Sequence, residues 1–539
     1  MCSFAWWLSL TIGFLSLSQE ILWVRIAAFT MRGSTYAFSA VLLLFLSGIA
    51  LGASVGKRWC GQRADLYRLA ALTLGAAAVL DLSLVPVLAL LRTPAVTIAV
   101  PLILVFFTAT LKSVLFPIAH HLGSRQSGPQ LGRSVSKVYF GNILGSALGP
   151  IVTGYVLLDY VPLEGCLFLI GAGSATLALL CARRAHVTRL WRLALPFGLV
   201  FLVSWRFGAD GLVRQLASHT LPNSLKGGTV KQVVETRHGI IHTVALPGHP
   251  ETILGGNAYD GKLAVDLQAN ENGLDRAVAL LAVHPRPERA LIIGMGGGAW
   301  IGVISSSPTV REIVVVELNK GYRDMIRRYP GMAAVLSDPR VKITIDDGRR
   351  WLRRHPEDKF DLIVANTTQY WRAYTTNLLS REYFRLMARH LRPGGIVGVN
   401  STGSADVLRT AAEVFAHVER RASFVYGSDR PFAAPRRDVD EVMRALRFND
   451  RPVFDQAAFD PGGLARELST QPFLPAGERF SGLRFNPAIV TDANLMTEQA
   501  HGRWDLYHRF PGVYRWVDRM HDAMSLEEAE RALSLAERR

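Results

Sequence analysis

The chain has 539 residues, 49% hydrophobic and 19% charged, with four cysteines and a formal net charge of +16. That length exceeds one ordinary core, and cysteines without CxxC spacing exclude a disulfide framework or a structural zinc site. No zinc-finger or recognition-motif signature accompanies the positive charge, so no nucleic acid is expected as partner; a basic face toward anionic lipid accounts for much of it.

Composition divides the chain near residue 205. Before it, long apolar stretches dominate; after it, charges, Pro and Gly alternate with short apolar runs, as in a soluble α/β domain. Crossing a bilayer core of ~30 Å takes roughly 20 apolar residues. Stretches near 4–30, 36–56, 69–91, 94–119, 138–158 and 163–182 meet that length. The opening "MCSFAWWLSL" lacks a basic n-region and a good cleavage site, so it reads as a retained first span.

A seventh stretch, "LALPFGLVFLVSW" at 193–205, has 13 residues, contains Pro196 and Gly198, and is bracketed by Arg192 and Arg206. It reads as lying in the interface. The connections at 57–68, 121–137 and 183–192 carry four, three and four Lys or Arg, whereas those at 31–35, 92–93 and 159–165 carry one, one and none. The positive-inside rule places the first set and the N-terminus in the cytoplasm. Six spans then deliver the soluble part to the cytoplasm, and seven to the other side. Six is favoured, because the soluble part reads as a user of a cytosolic nucleotide.

Within the spans, Gly48, Gly52 and Gly56, and again Gly141, Gly145 and Gly149, recur at every fourth position. That spacing makes a flat helical stripe and predicts tight helix pairs. Gln19, Glu20 and Arg25 fall in the first span and Lys112 in the fourth. A charge at membrane depth turns inward to a partner or a wet cavity. Glu20 and Arg25, about 140° apart around a helix, do not share a face, which leaves Glu20 with Lys112 as the expected interhelical pair.

The soluble part opens its main pattern at "RALIIGMGGGAWIGVISSSPTVREIVVVELNKGY". A strand enters a turn with Gly294, Gly296, Gly297 and Gly298, a helix follows, and a second strand ends at Glu317. Glycines allow a tight turn and close backbone approach to a ligand, and an acid about 20 residues on accepts hydrogen bonds from ribose hydroxyls. A third strand, "RVKITID", runs into Asp346, Asp347 and Gly348, where either acid would meet a base. The fourth is "FDLIVAN" and the fifth "GGIVGVN", after a turn at 392–395. Strands alternating with helices predict an open parallel sheet covered on both faces. Dinucleotide binding competes as an interpretation, but a second acidic strand end followed by Gly348 favours adenosine of the S-adenosylmethionine type.

The runs "HPRPERALIIGMGGG", "VVVELN", "DPRVKITIDDGRRWL", "FDLIVANTT", "LLSREYF" and "LRPGG" resemble the spermidine synthase (aminopropyltransferase) family, a branch of the class I methyltransferase-like fold, over about residues 230–402. With "GFLSLSQEILWVR" and "FLSGIALGASVG" in the spans, the whole chain resembles bacterial membrane-fused spermidine synthase-like proteins. "NAYDGKLAVD" is similar to the small β-hairpin region that precedes the catalytic sheet, and "VTDANLMTE" to a late acidic motif. The resemblance implies a bacterial inner-membrane location, a donor that is S-adenosylmethionine or its decarboxylated form, Gly294, Gly296 and Gly298 at the donor turn, Glu317 on ribose and Asp347 on the adenine amino group. It also implies Asp275 near a donor- or acceptor-binding position.

The family pattern then breaks. Its Asp inside the glycine turn, which grips the donor's terminal amine, is Gly297 here, and its paired aspartates after the fourth strand are Asn366 and Gln369. A polyamine is polycationic and must lose a proton to react, which carboxylates support and amides do not. Simple polyamine synthesis is therefore disfavoured. Tyr370, Asp492 and Glu498 are candidates for a replacement base, and Tyr370, Trp371, Arg372 and Tyr374 for an acceptor pocket or lid. Trp300 either flanks the nucleotide or belongs to the core, and the histidines show no metal-ligand spacing, so no metal is expected.

The expected architecture is a multi-span α-helical membrane domain (1–205), a linker and small β region (206–265), an α/β Rossmann-like domain (266–430) and a helical or irregular extension (431–539) that closes over the sheet or joins a homodimer. The expected activity is methyl or aminopropyl-type transfer to a small or membrane-delivered acceptor. A catalytically inert nucleotide or polyamine sensor, or a transport-related protein, is the alternative.

Overall fold

The computed structural model describes residues 2–61, 65–124, 131–265, 272–366, 372–400, 404–421, 424–432, 445–448, 450–452 and 488–494. The chain forms two compact units, Met1–His242 and Thr243–Arg539.

The first unit is built from α1 (Cys2–Thr30), α2 (Tyr36–Gly61), α3 (Leu66–Ala89), α4 (Pro94–Ser113), α5 (Leu115–Ser124) and α6 (Leu131–Val152). Through a π-turn α6 continues into α7 (Leu158–Tyr160), followed by α8 (Leu163–Arg184), α9 (Trp191–Gly208) and α10 (Leu212–His219). Pro117, with no N–H to return to Ser113, marks the break between α4 and α5. Among the described residues, six helices are long and apolar enough to cross a membrane, at the places read from the sequence, and α9 with α10, bent by 56° at their junction, make a seventh candidate when taken as one span, as befits an integral membrane protein.

Both glycine stripes lie in tight helix pairs. Added Cβ atoms at Gly48, Gly52 and Gly56 of α2 would stand 2.6, 2.2 and 2.4 Å from the carbonyl oxygens of Phe106, Thr110 and Val114. The same test at Gly145 and Gly149 of α6 gives 1.9 and 2.5 Å to the carbonyl oxygens of Leu10 and Phe14 on α1. Backbones come this close only where both stripes lack side chains.

The expected pairing of Glu20 with Lys112 is not found. Lys112 Nζ lies 2.8 Å from Asp81 Oδ2 of α3, with side chains 2% and 0% exposed. Gln19 closes the group: its Nε2 donates to Asp81 Oδ1 at 2.7 Å, its Oε1 accepts from Lys112, and Ser174 Oγ of α8 donates to Asp81 Oδ2 at 2.9 Å. A buried ammonium needs a full counter-charge with its lone pairs satisfied. Gln19 faces the group, and Glu20, the next residue, is turned about 100° away around α1.

A four-stranded sheet comes next in the chain, order β1 (Thr229–Thr236), β2 (Gly239–Ala245), β3 (Thr252–Gly255), β4 (Ala258–Lys262). The second unit then alternates α11 (Asp275–Val283), β5 (Arg289–Ile293), α12 (Ala299–Ser305), β6 (Glu312–Glu317), α13 (Lys320–Ile326), α14 (Pro330–Ser337), β7 (Val341–Ile345), α15 (Gly348–Arg354) and β8 (Phe360–Ala365). After them come α16 (Arg381–Arg389), β9 (Leu391–Asn400), α17 (Ala405–Ala412), β10 (His417–Arg421) and β11 (Phe424–Ser428).

The main sheet has the order β10-β11-β9-β8-β5-β6-β7. β5 pairs parallel with β6 and β8, β6 with β7, and β8 with β9, while β11 and β10 turn antiparallel. The chain therefore winds outward from β5 through β6 to β7 and returns on the other side at β8. The crevice for a ligand opens at that reversal, beyond the carboxyl ends of β5 and β8. Leu291, Val316, Ile363 and Val397 of the strands pack with Leu352, Phe384 and Met387 of the helices in one core. Trp300 belongs to the buried interior and stacks on Phe424 at 4.7 Å between ring centroids, instead of flanking a nucleotide.

Gly52→Leu is expected to destabilise the helical unit by at least ~1–3 kcal/mol, the usual cost of overpacking. Gly198→Leu on α9, where nothing lies within 4 Å of an added Cβ, is the control and leaves stability unchanged. Thermal unfolding of both variants in the same detergent checks this.

Candidate functional site

The β5–α12 turn is shaped by three glycines at positive φ, Gly294 (+90°), Gly296 (+50°) and Gly298 (+80°), a region that L side chains rarely adopt. Gly297 is different: its φ is ordinary, but an added Cβ would stand 2.9 Å from the carbonyl oxygen of Lys262 on β4. The chain therefore has neither an acid at this position nor room for one.

Glu317 ends β6 and braces the turn. Its Oε2 accepts the Met295 N–H at 2.6 Å and its Oε1 the Asn319 N–H at 2.7 Å. It is 5% exposed, and burial, with the nearby Asp260 charge adding to it, pushes the carboxyl up to about 7 against those backbone bonds.

At the tip of β7 the two acids have divided roles. Asp347 caps α15, accepting the Arg350 N–H at 2.8 Å. Asp346 accepts from Arg350 Nε and lies 3.8 Å from Arg354; burial raises its carboxyl, but the Arg350 hydrogen bond, the Asp347 N–H and the arginine charges outweigh that and hold it below the ordinary range. Gly348 lets α15 start close to β5, since a Cβ there would stand 2.6 Å from Ile293 Cγ2. Asn366, half-buried just past β8, donates its N–H to the Ile293 carbonyl at 3.1 Å, and its own carbonyl lies 3.4 Å from a Cβ placed on Gly294. Glycine turn, Glu317, Asp347 and Asn366 thus meet at neighbouring strand ends.

The remaining sequence candidates are spread more widely. Arg372 NH1 reaches Asp260 Oδ1 of β4 at 3.4 Å. Tyr374 has φ +70° and is 78% exposed. Asp492 is gripped by Arg349 through two bonds of 2.7 Å and accepts from Ser380 Oγ at 2.6 Å; the Arg349 bond leads in holding its carboxyl below the ordinary range, so it is a weak base. Asp275 opens α11. Gln369, Tyr370, Trp371, Glu498 and most of the C-terminal extension lie outside the described residues. Among the described residues no group of three His, Cys, Asp or Glu could hold a metal ion.

One cluster was not anticipated from the sequence. Asp260, 8% exposed, accepts from the Tyr322 hydroxyl of α13 on Oδ2 and pairs with Arg372 on Oδ1. Burial first, and the Asp260 charge second, push the Tyr322 hydroxyl well above its ordinary value, so it stays a donor. The available signal was "YDG" in the hairpin-like motif, but its partners lie 62 and 112 positions away.

The Glu317 carboxyl titrates in the folded protein near 7, above its ordinary 4.5. The folded state therefore holds that proton more tightly, and its contribution to stability is greatest below pH 4.5 and is lost as pH rises to about 7. The slope across that window is at most ~1.4 kcal/mol per pH unit. Stability curves of wild type and Glu317→Gln from pH 4.5 to 8 should differ by this slope and run parallel above it.

Residues 277–427 match the spermine/spermidine synthase domain. A polyamine aminopropyltransferase of Agathobacter rectalis is 37% identical over 118 residues, 22% of this chain and 41% of that protein. One of Streptococcus uberis is 34% identical over 155 residues, 29% of this chain and 53% of that protein. The chain spans about half the length of the curated relatives it matches. A crystal structure of spermidine synthase in complex with the transition state analogue AdoDATO aligns at 17% identity and a TM-score of 0.37, covering 45% of this chain and 85% of that one. The C-terminal half of the chain carries a spermine/spermidine synthase domain, behind N-terminal helices long and apolar enough to be membrane spans.

Proposed function

We propose that the α/β unit is a transferase that takes S-adenosylmethionine or its decarboxylated form at the glycine turn and passes a methyl or aminopropyl-type group to an acceptor other than a simple polyamine. The observation that carries this reading is the Glu317 brace. Each carboxylate oxygen offers two lone pairs, so Glu317 can hold the turn through the Met295 and Asn319 N–H groups and still receive ribose hydroxyls. The positive-φ glycines let the donor approach the backbone, and Asp347, fixed by its helix-capping bond, stands at the adjacent strand tip for the base.

The acceptor side argues against a polycation. Among the described residues, Asp260 is paired with Arg372, Asp346 with Arg350 and Arg354, and Asp492 with Arg349, while Glu317 and Asp347 bond backbone N–H groups. Asn366 adds hydrogen bonds but no negative charge. In group transfer from a sulfonium, the carbon–sulfur bond breaks, its electron pair neutralises sulfur, and the acceptor gives up any attached proton to a base. An acceptor that is already a good nucleophile suits a site whose described aspartates are mostly paired with arginines.

Calorimetry with each donor, followed by mass spectrometry of reactions with amine and lipid extracts, tests the reading. Methylthioadenosine as product marks aminopropyl transfer and S-adenosylhomocysteine marks methyl transfer. Binding without either product makes the domain a sensor, and efficient conversion of putrescine overturns the acceptor argument. Ribose hydroxyls donate to ionised Glu317, so donor affinity should rise from pH 6 to about 7, by at most tenfold per unit, and flatten above it; Glu317→Gln should abolish the rise.

A further inference from the structure

The 13-residue stretch that looked too short to cross a bilayer sits in a longer helix, because α9 runs 18 residues from Trp191 to Gly208. At 1.5 Å per residue it spans about 27 Å, close to the ~30 Å apolar core of a bilayer. It packs lengthwise in the bundle. Near its start, Phe197 Cζ lies 3.7 Å from a Cβ placed on Gly75 in the first half of α3. Near its end, Phe201 meets Phe168, close to the start of α8, edge-on and Trp205 packs on it at a tilt, at 5.4 and 5.8 Å between centroids. Its other side is an apolar strip, with Leu195, Leu199 and Leu202 each more than 60% exposed. Arg192 sits at one end, and at the other Arg206 lies 3.9 Å from Asp210; long basic side chains at helix ends reach the interface while their stems stay apolar.

Beyond α9 the chain is tied to one end of the bundle. On α10, His219 Nε2 lies 3.5 Å from Arg92 NH1, in the connection between α3 and α4, and Arg214 NH1 donates to the Val230 carbonyl of β1 at 2.6 Å. Glu235 of β1 accepts the Leu163 N–H at 3.1 Å, where α8 starts, and lies 3.7 Å from Arg25, near the end of α1. Arg25 also donates to the Thr236 carbonyl at 2.8 Å, and the Arg237 N–H donates to Asp159 at 2.9 Å. Arg25, Arg92, Asp159 and Leu163 all mark the end whose connections carry one, one and no Lys or Arg. The connections with four, three and four are at the other end.

We propose that α9 is a seventh span, so that the chain leaves the helical unit on the face opposite its basic loops and the synthase-like domain stands on the non-cytoplasmic side of the membrane. The positive-inside rule fixes the basic face as cytoplasmic. The longest described helices after α10 have nine residues each, far short of a return crossing. This placement reverses the six-span topology favoured by the sequence, where the 13-residue run alone read as interfacial and the soluble part as a user of a cytosolic nucleotide; the helix extends past Arg192 and Arg206. It stands without the transferase reading; its chemical consequence rests on that reading. A sulfonium donor used on this face must be exported or delivered across the membrane, and the acceptor must be met there, in the bilayer or outside it.

The test labels the full-length chain in bacterial spheroplasts with a membrane-impermeant maleimide. One variant carries Glu357→Cys, at an exposed turn after α15, in a background with its native cysteines replaced; a second keeps only Cys60, on the basic face. The expected result is full labelling of the first in intact spheroplasts and labelling of Cys60 only after permeabilisation. The reverse pattern overturns the proposal. A C-terminal fusion of the whole chain to alkaline phosphatase or to green fluorescent protein gives an independent reading, with phosphatase activity expected and fluorescence alone contradicting it. Neither readout depends on donor binding, so a failure here and a failure of the transferase reading are told apart.

Discussion

Glu317 has to satisfy two carboxylate oxygens in a place water barely reaches, and the site takes its shape from how it does so. One oxygen reaches across to the Met295 N–H inside the glycine turn and the other turns back on Asn319 at the start of α13. The ends of β5 and β6 are thereby locked in register beyond the last ladder bond between them. The positive φ of Gly294, Gly296 and Gly298 is what allows Met295 to present its N–H to that carboxylate at all. Asp346 takes the next step outward, its N–H on the Glu317 carbonyl at 3.0 Å, which carries the same register to β7. A ligand arriving at this crevice would meet a frame already set by buried hydrogen bonds, which lowers the ordering cost of binding.

Local patterns were the legible part of the sequence. The strand, glycine turn, helix and acidic strand end from Arg289 to Glu317 lie within one short stretch and fold as written. Glycine stripes at every fourth residue likewise found backbone partners, because the period of a helix alone decides which residues share a face. Pairings between distant residues were not legible. Asp260 with Tyr322 and Arg372, Arg349 with Asp492, and Lys112 with Asp81 are each joined only by the fold, and no spacing rule points from one to the other. The antiparallel pair β10 and β11 was also missed, since the parallel βα pattern stops at β9 and a hairpin beyond it carries no nucleotide-binding signature.

Asn366 at the end of β8 and Gly297 in the glycine turn both leave their positions without a carboxylate. With no side chain at Gly297, the Lys262 carbonyl of β4 stands where a Cβ would point, so placing a carboxylate there would mean moving a strand. Arg372 pairs with Asp260 from the stretch after β8.

The Asp81–Lys112 pair bears on how the protein is made. Only four residues, 90–93, separate α3 from α4, so both charges emerge from the ribosome within a single helical hairpin. Entering the bilayer as that hairpin, each residue brings its neutralising partner with it, whereas either helix inserted singly would carry a bare ion into lipid. In chain order Gln19 precedes both charged residues and Ser174 follows them, so the group is complete only once α8 is in place.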